Sequence, residues 1–402
     1  MSSPGYRPSL ILIILFIAVS QIGAVMHTPS IPAMGRAFDV PVLSIQLTMT
    51  SYLTGFAVAQ ILVGTLSDAV GRRPVLLGGL VVYTLASLGC ALAPSIEVMI
   101  GLRLVQAAGA CTGLVVARAI IRDSFDASQM TRYMGYLGMA IGLMPLLSPS
   151  LGGFLQGAIG WYANFFAMAT VGIAAVAACL VSLRETLPRE SRREGGLRAL
   201  LGGFPILLRQ PSFLGYTSAM GISTAVFFVY LTVGPLVLQG IYGVSPETYG
   251  FVAMTMPAGY ITGNFLSSRI STRIGVARGT ILGYCGMLFG GALLLVLAPT
   301  VTFSLPVFVA PMLVIGLGAG FVTSCGYAGV VQGDPSLAGT ASGLSGMLQM
   351  AMTALATLAV GMLDEITLMS YGWLQTSLTA LGLAMFVLLA VMWRSPAASE
   401  AG

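Results

Sequence analysis

Long apolar runs separated by short polar breaks dominate the chain, and they predict helices near 9–31, 44–67, 75–94, 97–121, 130–155, 161–183, 211–239, 247–268, 276–298, 303–330, 337–362 and 370–393. Each run approaches the roughly 20 residues that a helix needs to cross a bilayer. None shows the short alternation of a membrane β-barrel strand. The pattern is that of an all-α polytopic membrane protein with about twelve transmembrane helices. One longer polar interval, Arg184 to Arg209, interleaves Arg and Glu around Gly195 and Gly196 and reads as a loop. It divides the chain into an N-terminal six-helix bundle over 1–184, a cytoplasmic linker over 185–210 and a C-terminal six-helix bundle over 211–402.

Composition strengthens this picture, since 56% of the 402 residues are hydrophobic and only 8% charged, against roughly 25% charged in soluble domains. All 18 basic residues are arginines. In the loops they gather at alternate helix ends, with Arg36 alone on the other side, which predicts that both termini are cytoplasmic. The net charge of +5 thus reports topology, and nucleic-acid binding is not implied. Cys90, Cys111, Cys179, Cys285 and Cys325 lie inside apolar runs without CxxC spacing, so they read as small core residues and predict neither disulfide nor metal site. The first run, from Leu10 to Met26, is too long for a signal peptide's apolar region and is expected to remain as helix 1.

Between the second and third runs, Gly64-Thr-Leu-Ser-Asp-Ala-Val-Gly-Arg-Arg73 packs an acid and two arginines into a tight turn that has to sit at a water interface. This Gly-x-Leu-x-Asp-x-x-Gly-Arg-Arg pattern resembles the signature between helices 2 and 3 of the major facilitator superfamily of transporters. The plainer reading is a positive-inside loop whose charges only orient the chain. The resemblance implies a cytoplasmic gate built from Asp68, Gly71, Arg72 and Arg73, with Asp123 as an arginine partner and the start of helix 11 near Pro335 and Ser336 as the partner of Asp68. Sliding the chain by 204 sets Gly71–Gly79 against Gly275–Gly283, so both halves turn at the same point, although Asp68 then faces Thr272. Two such repeats imply the major facilitator fold, two six-helix bundles related by pseudo-two-fold symmetry with the substrate path between them.

Further motifs narrow the resemblance to the twelve-helix drug–proton antiporters of the bicyclomycin, chloramphenicol and florfenicol exporter type. Helix 1 is broken by Met26-His-Thr-Pro-Ser-Ile-Pro32, where those exporters read roughly Asp-x-Tyr-Leu-Pro-x-x-Pro. Val25 therefore stands at the family's acid, and His27, the single histidine, at its aromatic. His27 either exchanges the coupling proton, with a reference pKa of about 6.5, or only fills the aromatic's place. Arg103 and Gln106, three apart on one helical face, resemble the family's Arg-x-x-Gln-Gly pattern. Arg103 either faces a wet cavity or partner, or snorkels to the outer surface. In helix 5, Gly138, Gly142, Pro145, Pro149, Gly152 and Gly153 resemble the antiporter motif and serve as a hinge or as a small-residue packing face. Tyr230, in the aromatic run of helix 7, lines a drug pocket or packs the bundle.

The function these resemblances imply is secondary active export of small apolar or amphipathic molecules by alternating access, in exchange for protons, from a bacterial cytoplasmic (inner) membrane. The expected partners are a small-molecule substrate, protons and the bilayer; the chain is expected to act as a monomer without cofactor. A facilitator or importer of the same fold, uncoupled to protons, is the alternative. An intramembrane enzyme would need a nucleophile with its base or a metal cluster, and one histidine with no carboxylate plainly within a span predicts against it. A channel would need a ring-forming filter, which the sequence does not offer.

Overall fold

Prolines and glycines decide where the helices stop. Helix α1 (Leu10–Val25) is capped by Ser9, whose hydroxyl accepts from Leu12 N at 3.2 Å. It ends where Pro29 and Pro32 remove the N–H groups that would continue its ladder. A 3₁₀ turn over Thr28–Ser30 leads into α2 (Ile31–Phe38), and Thr28 Oγ1 donates to Val25 O at 2.9 Å across the break. Helix α3 (Val42–Val70) stops at Gly71, whose φ of 119° suits a residue without Cβ. Then follow α4 (Arg72–Ala91), α5 (Ile96–Ser124), α6 (Ala127–Ala158, with Pro145 and Pro149 inside) and α7 (Tyr162–Ser182).

This computed structural model describes residues 8–188, 192, 196–300, 304–331, 337–363 and 365–394, and every regular element among them is helical. The expected helix start at Pro335 and Ser336 lies outside the described residues. So do Arg189 and Arg193.

Two expectations need correction. The stretch read as a loop linker contains α8 (Gly196–Leu208). Its mixed charge ends near residue 194, after which Leu197, Leu201, Phe204 and Leu208 recur at helical spacing. The run at 247–268 is not one helix. It is divided into α10 (Pro246–Val252) and α11 (Thr255–Ile274). The last turns of α11 carry Ser267, Ser268, Arg269, Ser271, Thr272 and Arg273, so this interval falls short as an apolar span. By length and apolar composition, eleven helices among the described residues qualify to cross a membrane, and α11 holds the place of the remaining expected one.

The remaining elements are α9 (Pro211–Pro235), continued by a π-helical segment over Leu236–Ile241, then α12 (Val276–Thr300), α13 (Leu305–Val331), α14 (Ala338–Gly361) and α15 (Leu368–Arg394). Gly275 separates α11 from α12 with φ 88°, as Gly71 separates α3 from α4, so the repeated turn read from the sequence has one geometry in both halves. The chain forms two compact units, Met1–Leu200 with Val244–Phe251, and Leu201–Gly243 with Val252–Gly402.

Within the first unit α5 is the central helix, packed by α1, α3 and α4. A Cβ at Gly109 would strike Gly79 O and Tyr83 N of α4, and one at Gly113 would strike Phe16 O of α1, so backbones meet directly. In the second unit α13 packs against α11 and α12 in the same manner. Large apolar side chains such as Leu85, Ile173 and Val181 lie on exposed faces, which suits a surface that meets lipid. Cys285 is exposed too, unlike the other four cysteines, and corrects the expectation of an all-core set. Close approach at Gly109 predicts that Gly109→Val destroys the monodisperse peak of detergent-extracted protein in size-exclusion chromatography. Gly101→Val on the same helix, where a Cβ meets nothing within 4 Å, should leave the peak intact.

Candidate functional site

Arg103 lies eight residues into α5, too far from its start for an exposed guanidinium, and it is fully buried. Placing a guanidinium inside a span costs about 2.5–3.5 kcal/mol even on insertion scales, so its N–H groups need acceptors. Nη1 donates to Gly23 O of α1 at 2.8 Å and to Gln106 Oε1, one turn along α5, at 2.6 Å. Gly23 is in the last turn of α1, where carbonyls lack downstream helical partners. The helix break thus creates the acceptor that the arginine uses.

The other groups around Arg103 are neutral as well. The Tyr52 ring of α3 lies 4.2 Å from Cζ and the Phe165 ring of α7 lies 6.0 Å away. Nη2 is 3.5 Å from His27 Nε2. A guanidinium only donates, so this contact requires the lone pair on Nε2 and the ring proton on Nδ1. Gln106 Nε2 donates to Ser87 Oγ of α4 at 2.7 Å and approaches Met168 Sδ of α7 at 3.6 Å, while Ser87 Oγ donates to Tyr83 O. Among the described residues no carboxylate pairs with Arg103. The structure therefore brings together His27, Arg103 and Gln106, all three named from sequence. It gives His27 both a place against Phe165, ring centroids 5.8 Å apart, and a role as acceptor.

Helix α6 seats the broken end of α1. A Cβ at Gly152 would meet Met26 O, and Asn164 Nδ2 of α7 donates to both Ser30 Oγ at 2.7 Å and Gly152 O at 3.2 Å. Gly153 faces Pro246 O. The small-residue face expected along this helix is confined to that end. At Gly138 an added Cβ meets nothing within 4 Å among the described residues, and Gly142 is half-buried. Tyr230 belongs to the second unit, where its ring is fully buried 5.9 Å from that of Phe308. Its hydroxyl donates to Val252 O at 2.7 Å, at the break between α10 and α11, which is a packing contact.

A second polar cluster closes the turn between α3 and α4. Arg72 is 2% exposed, and its guanidinium donates to Asp68 at 2.5 Å, to Ser67 Oγ at 2.8 Å and, through Nε, to Asp123 Oδ2 at 2.8 Å. Arg73 Nη2 donates to Leu180 O at 3.0 Å. Glu185, unread in the sequence, completes the turn. Its carboxylate accepts from Arg72 N at 2.9 Å and Arg73 N at 3.2 Å, and from Thr186 N and Leu187 N at 3.0 Å. Helix α4 begins after a glycine, with no side-chain cap and no acid in its first turn, so its first N–H groups lack a local acceptor. That absence is legible; the acceptor, 113 positions away, is not.

Comparison with known proteins places these features. The sequence profile of the Major Facilitator Superfamily matches residues 13–357. The chain is 31% identical over 365 residues to the chloramphenicol resistance protein of Pseudomonas aeruginosa, covering 89% of this chain and 85% of that protein. It is 28% identical over 333 residues to the bicyclomycin resistance protein homolog of Haemophilus influenzae, covering 83% of each. Among solved structures, the peptide transporter POT superposes with a TM-score of 0.77 at 12% identity, covering 97% of this chain and 96% of that one, a likeness of fold alone.

Loss of the remote cap should be measurable. Glu185→Ala is expected to destabilise the purified protein by about 1–2 kcal/mol, the usual value of a helix cap, and Glu185→Gln by less, because an amide oxygen still accepts. Thermal unfolding in detergent measures both; an unchanged midpoint in Glu185→Ala would contradict the capping role.

Proposed function

The chain belongs to the Major Facilitator Superfamily, and on that premise we propose that it exports small apolar or amphipathic, drug-like molecules by alternating access, in exchange for protons. The observation that carries this reading is the Arg103 cluster: one desolvated cation with an amide beside it, held among aromatic and apolar side chains where a broken helix adjoins. Such a group orients one polar substituent of an otherwise apolar molecule. Likeness over more than four fifths of the chain to proteins named for chloramphenicol and bicyclomycin resistance supports the same substrate class.

The gate is proposed at the α3–α4 turn. Arg72 joins the end of α3 to the end of α5 through Asp68 and Asp123, and Glu185 ties α4 to the segment after α7, so four helix ends move as one piece. Of the two acids, Asp123 has a side chain 14% exposed and Asp68 one 40% exposed. Asp68 is thus the carboxylate with room for a further partner during the cycle. The arginine-rich loop ends support a cytoplasmic location for this turn and for both termini.

A test follows directly. A strain expressing the protein should be protected against chloramphenicol, and Asp68→Asn should lose that protection while its membrane content matches wild type by immunoblot. No protection by wild type would overturn the proposed export, and full protection by Asp68→Asn would overturn the gate.

A further inference from the structure

The two edges of the Arg103 guanidinium are used very differently. Nη1 makes both short bonds, to Gly23 O and Gln106 Oε1. On the other edge, Nε has no acceptor among the described residues, and Nη2 has only His27 Nε2 at 3.5 Å, the outer limit of a hydrogen bond. The N–H groups of Nε and Nη2 point in parallel. They form the fork that matches the two oxygens of a carboxylate, whose charge-assisted bonds run at about 2.7–2.9 Å.

Three further features favour an anion on this edge. The guanidinium is wholly desolvated and meets only neutral groups, so its charge is uncompensated among the described residues. Among the described residues His27 Nδ1 and Tyr83 Oη are buried without hydrogen-bond partners, and Tyr83 Oη lies beside Gly23, the residue whose carbonyl holds Arg103. The walls are the rings of Tyr52 and Phe165, which suit an apolar body next to the charged head.

We infer that the Nε–Nη2 edge of Arg103 is a carboxylate-binding fork, and that amphipathic organic anions are a substrate class of this transporter. The inference rests on the proposed export function and deepens it. The cluster is closed in this structure, so an entering carboxylate displaces the His27 ring, the weakest of the arginine's contacts. It gains two short bonds between opposite charges in exchange for one long bond to a neutral ring nitrogen. A cationic head has no counter-ion here and would face the guanidinium, so permanent cations are excluded by the same geometry.

The test uses the purified full-length protein and two isosteric probes, 2-naphthoate and 2-naphthamide, whose binding is measured by equilibrium dialysis. Wild type should hold the anion about tenfold or more tighter than the amide, the difference expected when an ionised acceptor replaces a neutral one. Arg103→Gln should abolish the preference. Arg103→Lys keeps the charge but loses the fork, and should retain only part of it; this variant carries the test if Arg103→Gln fails to fold. Equal affinity of wild type for the two probes, or an undiminished preference in either variant, would overturn the inference. The chloramphenicol protection assay separates the two claims: protection without anion preference leaves export standing and removes only the fork.

Discussion

A guanidinium inside an apolar span must draw its hydrogen-bond acceptors from the protein or from a ligand. That requirement ties the first unit together. Pro29 and Pro32 end α1 early and leave Gly23 among the last-turn carbonyls of that helix. Arg103 of α5 takes this carbonyl, Gln106 supports the arginine from one turn away, and Ser87 of α4 holds Gln106. The break is seated in turn by Gly152 of α6 and Asn164 of α7. A chain break that frees a carbonyl and a buried guanidinium that needs one therefore satisfy each other through one edge of the arginine, and the residues that achieve this come from α1, α4, α5, α6 and α7.

The α3–α4 turn solves a related problem with opposite means. There the cation is matched by carboxylates, Asp68 and Asp123, and the locally uncapped N-terminus of α4 is matched by a third, Glu185. Acids are affordable at this end because water is near; the interior site uses none. The contrast between a charge-balanced turn and an uncompensated interior cation separates their roles, the first holding helix ends together and the second presenting an unspent fork to a ligand.

Much of this was legible in the sequence, for physical reasons that can be named. Span length and apolar runs fix most helices, since the bilayer dictates both. Local turn chemistry fixes Gly71 and Gly275, and helical periodicity puts Arg103 and Gln106 on one face. What stayed hidden depends on contacts distant in the chain. Glu185 sits in a polar stretch that looks like a solvated tether until α4 is placed beside it. The hydroxyl of Tyr230 is committed by a helix break at Val252 that a continuous apolar run conceals. Helix α8 was masked by the charged residues before it, and the acceptor role of His27 follows only from the distance to Arg103.

The central claim is that Arg103 is held inside the first unit by neutral acceptors, His27 Nε2 among them. Because His27 is the single histidine of the chain, protein labelled with ¹⁵N-histidine yields one imidazole spin system, whose tautomer ¹⁵N NMR reads directly. In substrate-free protein at neutral pH the account predicts an unprotonated Nε2 and a protonated Nδ1. A proton on Nε2, whether as the other tautomer or as imidazolium, would contradict it.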